Sequence, residues 1–182
     1  MIRVVDFGLA FFGISFLFPV FLILALLGWL DTGSPFFTQA RLGRNKKIFI
    51  LVKFRTMKVG TRAVATHEAP VSAVTRYGSF LRKTKLDELP QLWNVLKGDM
   101  SLVGPRPNLP IQSELTDVRS RYSVYSVRPG ITGLAQISGI DMSQPELLAE
   151  IDQKMILSMN LVSYFHLIWL TLLGKGYGDQ IR

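Results

Sequence analysis

The feature that most constrains this chain is a long stretch without charge near its N-terminus. No charged residue occurs from Phe7 to Leu30, and Asp6 and Asp31 bound the run. A straight helix of about 20 apolar residues crosses the hydrocarbon core of a bilayer, so this run is long enough to do so. It is too long for the core of an ordinary signal peptide, and "GWLDTGSPFF" has no small-x-small cleavage site. We therefore expect it to remain in the mature protein as a membrane segment.

Pro19 lies at the middle of this run and allows two topologies. Proline has no amide donor and clashes with the carbonyl four residues back, here that of Ser15, so it kinks or breaks a helix. Two half-helices would each be roughly 18 Å long against about 30 Å of hydrocarbon, so a sharp break would let the chain enter and leave by one face. Ser15 is placed to bond the backbone groups that such a break frees. A kinked helix that spans the bilayer is the alternative, and the residues alone do not choose.

The rest of the chain is basic. The formal net charge is +8, and the segment from Arg41 to Arg62 contains eight basic residues and no acid. Beside a membrane segment, such a run favours anionic lipid headgroups as a partner, with a solvated basic face as the ordinary alternative. The excess of Lys and Arg after Leu30 predicts that this part is cytoplasmic. Cysteine is absent and the histidines are His67 and His166, which excludes thiol chemistry and a histidine-rich metal site.

The segments after the apolar run predict a small hairpin and then a loop. Residues 36 to 40 and 48 to 54 are apolar and flank the turn residues Gly43 to Asn45. Residues 58 to 75 mix small and polar side chains with a proline, which predicts a loop.

Asp87 and Glu88 are an isolated pair of carboxylates in a basic neighbourhood. The helical spacing of apolar residues from Leu89 to Leu96 predicts a helix, and Pro90 is tolerated only in its first turn. The acid pair then lies at the helix N-terminus, where backbone amides favour negative charge. Helix capping with surface salt bridges is the common explanation of such a pair.

Two loops further along the chain favour a different explanation. Residues 104 to 107 read "GPRP" and residues 128 to 130 read "RPG", so Arg106 and Arg128 each stand beside proline. Little entropy is lost when an arginine held in this way binds a phosphate. Each loop alone is also typical of an ordinary turn with an exposed arginine. Together with the acid pair and the membrane segment, they indicate phosphate chemistry at a membrane surface.

Three stretches of the chain carry a resemblance to a known family. They read "FTQARLGRNKKIFILVKFRTM", "RKTKLDELPQLWNVLKGDMSLVGPRP" and "RPGITGLAQISG". They closely resemble the bacterial sugar transferases, the small monotopic polyprenyl-phosphate phosphoglycosyl transferases, and the match runs in order from about residue 1 to residue 152. The resemblance implies transfer of a sugar phosphate from a UDP-sugar to undecaprenyl phosphate at the cytoplasmic leaflet of the bacterial inner membrane, with release of UMP.

The resemblance also implies roles for individual residues. Asp87 would attack the β-phosphorus and form a phosphosugar-aspartyl intermediate, from which undecaprenyl phosphate takes the group. Glu88 would assist through Mg²⁺ or the acceptor, so Mg²⁺ is the expected cofactor and the two acids are its expected ligands. Because a carboxylate that attacks a diphosphate meets like charge, the site needs cations. The positions that match the family's phosphate and nucleotide-sugar site are Lys53, Arg82, Arg106 and Arg128.

Two regions depart from the family pattern. Phe18 stands where the family commonly has Ser before the proline, so either Ser15 holds the break at Pro19 or the helix bends less sharply. The positions that are usually Tyr, Asp and Lys near the C-terminus are occupied by Met155, Tyr164 and His166. We expect the uncharged run from residue 155 to 174 to form an interfacial helix rather than a second spanning helix.

The sequence thus predicts an α+β, mainly helical, monotopic membrane protein. The resemblance implies that residues 1 to 31 form a re-entrant helix that enters and leaves the membrane by its cytoplasmic face, and residues 32 to 182 would form a cytoplasmic catalytic domain with a β-hairpin and interfacial helices. The expected partners are a UDP-sugar, undecaprenyl phosphate and anionic membrane lipids. Nucleic acid is not expected, because aromatic and basic residues do not interleave in a recognised module.

Two alternatives remain at this stage, a membrane-tethered basic binding or scaffold protein and an inactive member of the family. The first would tolerate loss of Asp87, whereas an enzyme would not. The residues that follow "GLAQI", which are Ser138, Gly139 and positions 141 to 146, are candidates for sugar recognition. They identify neither the sugar nor the pathway.

Overall fold

The computed structural model describes residues 2–61 and 73–176, so the predicted loop between residues 58 and 75 lies mostly outside the described residues. The helices of the described part are α1 (Ile2–Thr32), α2 (Arg76–Thr84), α3 (Gln91–Lys97), α4 (Ser113–Arg121), α5 (Leu134–Ile137), α6 (Pro145–Ser158) and α7 (Leu161–Leu172). The strands are β1 (Phe36–Leu42), β2 (Ile48–Phe54), β3 (Ser101–Val103) and β4 (Gly130–Thr132). The expected mainly helical α+β architecture is confirmed.

Helix α1 contains the apolar run and, among the described residues, is the one helix long and apolar enough to cross a membrane. The backbone stays helical through Pro19, so the structure shows one helix of 31 residues and not two helices separated by a break. Pro19 and Ser15 both lie on its exposed surface. One stripe is covered instead, and its buried members are Asp6, Ala10, Leu24 and Gly28.

Both halves of α1 pack against the same body of the protein. In the first turn, Arg3 donates to two backbone carbonyls in the last turn of α3. In the second half, Leu24 packs with Phe54 and Leu81, and its carbonyl accepts a hydrogen bond from the Tyr77 hydroxyl at 2.6 Å. The helix is therefore tied to the body near both of its ends.

The predicted β-hairpin is confirmed. Strands β1 and β2 pair antiparallel from Phe36 opposite Phe54 to Leu42 opposite Ile48. The chain reverses in a single 3-10 turn in which Asn45 has a φ of 55°, a conformation that asparagine tolerates. Alternate residues of β2 point inward, since Phe49, Leu51 and Lys53 are buried, while Ile48 and Ile50 are exposed.

A second, parallel pair of strands was not predicted. Ser101 of β3 pairs with Gly130 of β4, and Val103 pairs with Thr132. Because β3 runs directly into the GPRP loop and β4 begins at Gly130, the last of the RPG residues, the pair brings the two loops side by side. A Cβ atom at Gly130 would lie 2.0 Å from the amide nitrogen of Gly104, so this close approach requires glycine.

The apolar run near the C-terminus is not one helix, which excludes a single spanning helix over residues 155 to 174. Helix α6 ends at Ser158, and α7 begins after a capping box in which Asn160 and Ser163 bond each other's backbone amides. Helix α7 buries Tyr164 and Leu167 and exposes much of its remaining apolar surface. An interfacial position of α7 stays a prediction.

Candidate active site

The acid pair lies in a tight turn between two helices. Helix α2 ends at Thr84, and the next residue, Lys85, has a left-handed backbone with a φ of 58° that reverses the chain. A single 3-10 turn over Leu86–Glu88 follows and leads into α3 through Pro90. This turn buries both acids, since Asp87 is 3% and Glu88 is 8% exposed. Buried carboxylates need cationic or hydrogen-bonding partners.

Two cations from other parts of the chain meet Glu88. The Lys53 ammonium on β2 lies 3.1 Å from the Glu88 carboxylate oxygen Oε1. The two terminal nitrogens of Arg106, in the GPRP loop, each donate to the same oxygen at 3.4 Å. Lys53 is itself buried, so this ion pair is shielded from solvent. The hairpin, the acid turn and the GPRP loop therefore converge at one place.

Two further basic residues border the acid turn. Arg82, in the last turn of α2, donates from Nε to the Thr56 hydroxyl at 2.9 Å. Lys85 donates to the carbonyl of Lys175 at 2.7 Å. Burial lowers the pKa of Lys85, and the nearby Glu88 carboxylate opposes that shift.

The GPRP loop is held from behind by a buried ion pair that the sequence reasoning missed. Arg119 on α4 donates to the Arg106 carbonyl at 2.7 Å and to the Asn108 side chain at 3.2 Å. Its other terminal nitrogen donates to Asp152 on α6 at 2.8 Å. Burial raises the pKa of Asp152 to about 6, although the Arg119 guanidinium acts in the opposite direction. No local sequence pattern marks these two residues, because their partners lie on separate helices.

Arg128 is placed elsewhere. Its Nε donates to the Gly98 carbonyl at 2.8 Å, beyond the C-terminal end of α3, whereas the acid turn precedes the N-terminal end of that helix. In the described part of the chain, no hydrogen bond or ion pair joins Arg128 to Glu88. Its expected role at the nucleotide-sugar site stays a prediction.

Another buried carboxylate, away from the acid turn, belongs to Asp6, which the sequence reasoning treated only as the border of the apolar run. It accepts hydrogen bonds from the Ser101 hydroxyl at 2.9 and 3.0 Å, from the Leu102 amide at 2.8 Å and from the Tyr164 hydroxyl. Burial and the hydrogen bond to Asp6 raise the pKa of Tyr164. The cluster joins α1, β3 and α7.

The other positions that depart from the family pattern are divided between the core and the surface. Met155 is buried and its sulfur accepts from the Leu134 amide at 3.2 Å, whereas His166 lies exposed on α7. The candidates for sugar recognition, Ser138, Gly139 and residues 141 to 146, form the connection from α5 into the first turn of α6.

The acid turn suits Mg²⁺ only with help from a ligand. Among residues 2–61 and 73–176, no group of three or more histidine, cysteine or acidic side chains is placed to hold a metal. In phosphate-transfer sites, however, one or two carboxylates together with substrate phosphates are the usual Mg²⁺ ligands. The adjacent carboxylates of Asp87 and Glu88 fit that donor set.

Comparison with known proteins gives a consistent family. The chain matches the family described as bacterial sugar transferase across residues 1–175. The UDP-galactose-lipid carrier transferase of Erwinia amylovora is 40% identical over 144 residues, which are 69% of this chain and 30% of that protein. The UDP-glucose:undecaprenyl-phosphate glucose-1-phosphate transferase of Xanthomonas campestris pv. campestris is 38% identical over 145 residues, 76% of this chain and 30% of that protein.

A shorter relative matches over most of its own length. The exopolysaccharide production protein ExoY of Sinorhizobium fredii is 40% identical over 155 residues, which are 75% of this chain and 68% of that protein. The chain therefore spans about a third of the Erwinia and Xanthomonas proteins and about two thirds of the Sinorhizobium protein.

Proposed function

The chain belongs to the bacterial sugar transferase family, and from that premise we propose that it moves a sugar phosphate from a UDP-sugar to undecaprenyl phosphate and releases UMP. The Xanthomonas relative is named for a UDP-sugar donor and this acceptor, and the Erwinia relative for UDP-galactose and a lipid carrier. The observation that carries the proposal is the buried Asp87–Glu88 turn, with Lys53 and Arg106 on the Glu88 carboxylate.

In the proposed first step, a carboxylate oxygen of Asp87 attacks the phosphorus that bears the sugar. The bond from that phosphorus to the oxygen bridging the two phosphates breaks, and UMP leaves with this oxygen. The product is an acyl phosphate that joins Asp87 to the sugar phosphate. Burial of Asp87 favours this chemistry, because water that would hydrolyse the acyl phosphate is kept away.

In the proposed second step, a phosphate oxygen of undecaprenyl phosphate attacks the same phosphorus. The bond between Asp87 and phosphorus breaks, so the carboxylate is regenerated and the lipid carries a diphosphate-linked sugar. The acceptor's phosphate is tied to a long apolar chain, so the site must lie at a membrane surface. The apolar helix α1 and the exposed apolar side chains of α7 support that position.

The cations around the acid turn would offset the charge of the reacting groups. Glu88 holds the ends of Lys53 and Arg106 beside Asp87, where both can bind diphosphate oxygens when the donor arrives. We assign Arg82 to the same role, because it lies in the last turn of α2, immediately before the acid turn. Mg²⁺ held by Asp87, Glu88 and the donor would neutralise part of the diphosphate charge.

We also propose that α1 is re-entrant, turning by a bend at Pro19 and not by a break in the helix, and that the catalytic body lies on the cytoplasmic face. A straight helix of 31 residues would be about 46 Å long, and a spanning helix would place its ends on opposite faces of about 30 Å of hydrocarbon. The contacts of Arg3 and Leu24 with one body support entry and exit by one face. Because the chain has no cysteine, a cysteine added before Met1 and Thr38→Cys report accessibility to a membrane-impermeant maleimide. Both should be labelled from the cytoplasmic side, and labelling of the added cysteine from the opposite side would exclude the re-entrant course.

The reaction is tested by UMP release from detergent-solubilised protein with undecaprenyl phosphate, Mg²⁺ and a panel of UDP-sugars. Asp87→Asn should abolish turnover and the covalent adduct that mass spectrometry detects on the intact protein. Asp117→Asn makes the same chemical change at an exposed position of α4 and should retain activity. Near-normal turnover by Asp87→Asn would show that the covalent assignment is wrong and would favour a binding protein or another nucleophile.

A further inference from the structure

A cavity lies near the end of α3 that is opposite the acid turn. It has a volume of about 260 Å³, and Arg3, Arg44 and Arg128 line it together with Asp6. Apolar side chains, among them Ile2, Met155, Ile156 and Met159, form the rest of its wall. The acid turn and its cations Lys53, Arg82 and Arg106 do not line this cavity, whereas Arg128, which the resemblance to the family places at the nucleotide-sugar site, does. The seven residues of α3, about 10 Å of helix, separate the Gly98 end from the acid turn.

Two of the arginines that line this cavity, Arg44 and Arg128, are fixed in place and keep donors for a ligand. The Nε of Arg44 donates to the Ser126 carbonyl at 2.9 Å, and the Nε of Arg128 donates to the Gly98 carbonyl at 2.8 Å. Within residues 2–61 and 73–176, the terminal nitrogens of both side chains have no protein partner. A guanidinium anchored in this way binds a phosphate with little loss of entropy.

Among the described residues, Asp6 is the one acid that lines the cavity, and its carboxylate is not free to pair with these arginines. Asp6 already accepts from a hydroxyl, a backbone amide and the Tyr164 phenol. Three guanidinium groups therefore face one carboxylate whose oxygens are engaged. The local charge favours an anionic ligand.

The surroundings of the cavity are apolar and exposed. Val4, next to the lining residues of α1, is 76% exposed, and Leu157 and Val162, on either side of Met159, are each 81% exposed. Exposed apolar side chains beside a cluster of arginines are typical of the boundary between headgroups and acyl chains in a bilayer. A ligand with a phosphate and long apolar chains matches both parts of this surface.

We propose that this cavity binds the phosphate headgroup of an anionic membrane phospholipid, with its acyl chains along Val4, Leu157 and Val162. The lipid is a bound component and not the acceptor, because its phosphate lies at the far end of α3 from Asp87. The GPRP loop connects the two places, since Gly104 and Pro105 line the cavity while the next residue contacts Glu88. A bound lipid would therefore also hold this loop in position.

The test measures lipid binding by the full chain in non-ionic detergent, without UDP-sugar, by native mass spectrometry. The probe is dioctanoyl phosphatidylglycerol, and dioctanoyl phosphatidylcholine is the zwitterionic comparison. Arg44→Gln should weaken phosphatidylglycerol binding about tenfold or more, as expected for loss of a charge-assisted hydrogen bond. Lys47→Gln removes the same charge from an exposed position three residues away that does not line the cavity, and should leave binding unchanged. Arg128→Gln is the second variant, and circular dichroism confirms that each variant is folded.

Several outcomes would overturn the proposal. Equal binding of phosphatidylglycerol by the Arg44→Gln and Lys47→Gln proteins would show that the arginines do not hold the lipid. Equal affinity for phosphatidylcholine would show that the charge of the headgroup does not determine binding. Equal affinity for inorganic phosphate would show that the cavity is a site for free anions. Displacement of phosphatidylglycerol by farnesyl phosphate would identify an acceptor site instead. The Asp87→Asn protein should still bind phosphatidylglycerol, so failure of the proposed reaction and failure of the lipid site are distinguishable.

Discussion

The hydroxyl of Tyr164 should stabilise the protein by holding the N-terminal turn of α1 against α7. Tyr164 is 1% exposed, and its ring packs in a core cluster with Val103, Met155 and Leu167. Its hydroxyl donates to the buried carboxylate of Asp6. Tyr164→Phe removes this donor and keeps the packing of the ring, so the change isolates the hydrogen bond.

The expected loss follows from the charge and burial of the acceptor. A hydrogen bond to a charged group contributes about 1.5 to 3 kcal/mol, more than a bond between neutral groups. In a protein of this size, a loss of 1 kcal/mol lowers Tm by about 2 to 4 °C, so Tyr164→Phe should lower it by about 3 to 12 °C. Ser101 and Leu102 still donate to Asp6 in this variant, so the protein should remain folded.

The assay is thermal unfolding in lipid nanodiscs, arranged as a double-mutant cycle of Tyr164→Phe with Asp6→Asn. The two changes should be coupled by about 1 kcal/mol or more, because Tyr164→Phe removes the donor of the bond and Asp6→Asn removes the charge of its acceptor. Tyr125→Phe is the reference, since its hydroxyl bonds the neutral side chain of Asn108 at 2.9 Å. Its effect and that of Asp6→Asn should be additive within about 0.5 kcal/mol. A coupling near zero between Tyr164 and Asp6 would refute the packing of the first turn of α1 against α7, and the one-face arrangement with it.

Three further predictions concern the GPRP loop and its support. Gly130→Ala places a Cβ atom 2.0 Å from the backbone of that loop and should lower the free energy of unfolding by about 1 to 3 kcal/mol, whereas Gly8→Ala, with open space around it, should not be destabilising. Arg119→Lys keeps a charge beside Asp152 but loses the guanidinium group that also donates to the Arg106 carbonyl. The kcat of this variant should therefore fall by up to about 100-fold while the protein stays folded. An unchanged kcat would show that this hydrogen bond does not position Arg106. The pKa of Asp152 is raised from 3.8 to about 6, so between these pH values the native state binds a proton there that the unfolded chain does not. The stability that this proton binding contributes is fully present below about pH 4 and is lost as the pH rises through 6. Denaturant unfolding between pH 5 and 8 should show that decline in the parent protein and not in Asp152→Asn.

The sequence was sufficient for features that local patterns encode. Apolar segments on either side of the turn residues Gly43 to Asn45 predicted the hairpin, whose strands are where expected. The spacing of apolar residues after Pro90 predicted the helix that follows the acid pair. Arg106 was selected because it stands between prolines, and the structure brings it to Glu88. Each of these depends on neighbours within a few residues, so periodicity and turn chemistry are enough to find them.

Tertiary structure alone decided which distant residues share a site. Asp6 and Tyr164 are 158 residues apart, and Arg119 and Asp152 are 33 apart, so no periodic pattern relates them. The parallel pairing of β3 with β4 likewise depends on strands of three residues, too short to show any alternation. The sequence determined a basic protein with an apolar helix, an acid pair and arginines beside prolines. Packing determined that Lys53 and Arg106 meet Glu88 while Arg128 lines a separate cavity, because burial of side chains from many segments, rather than their spacing along the chain, sets these distances.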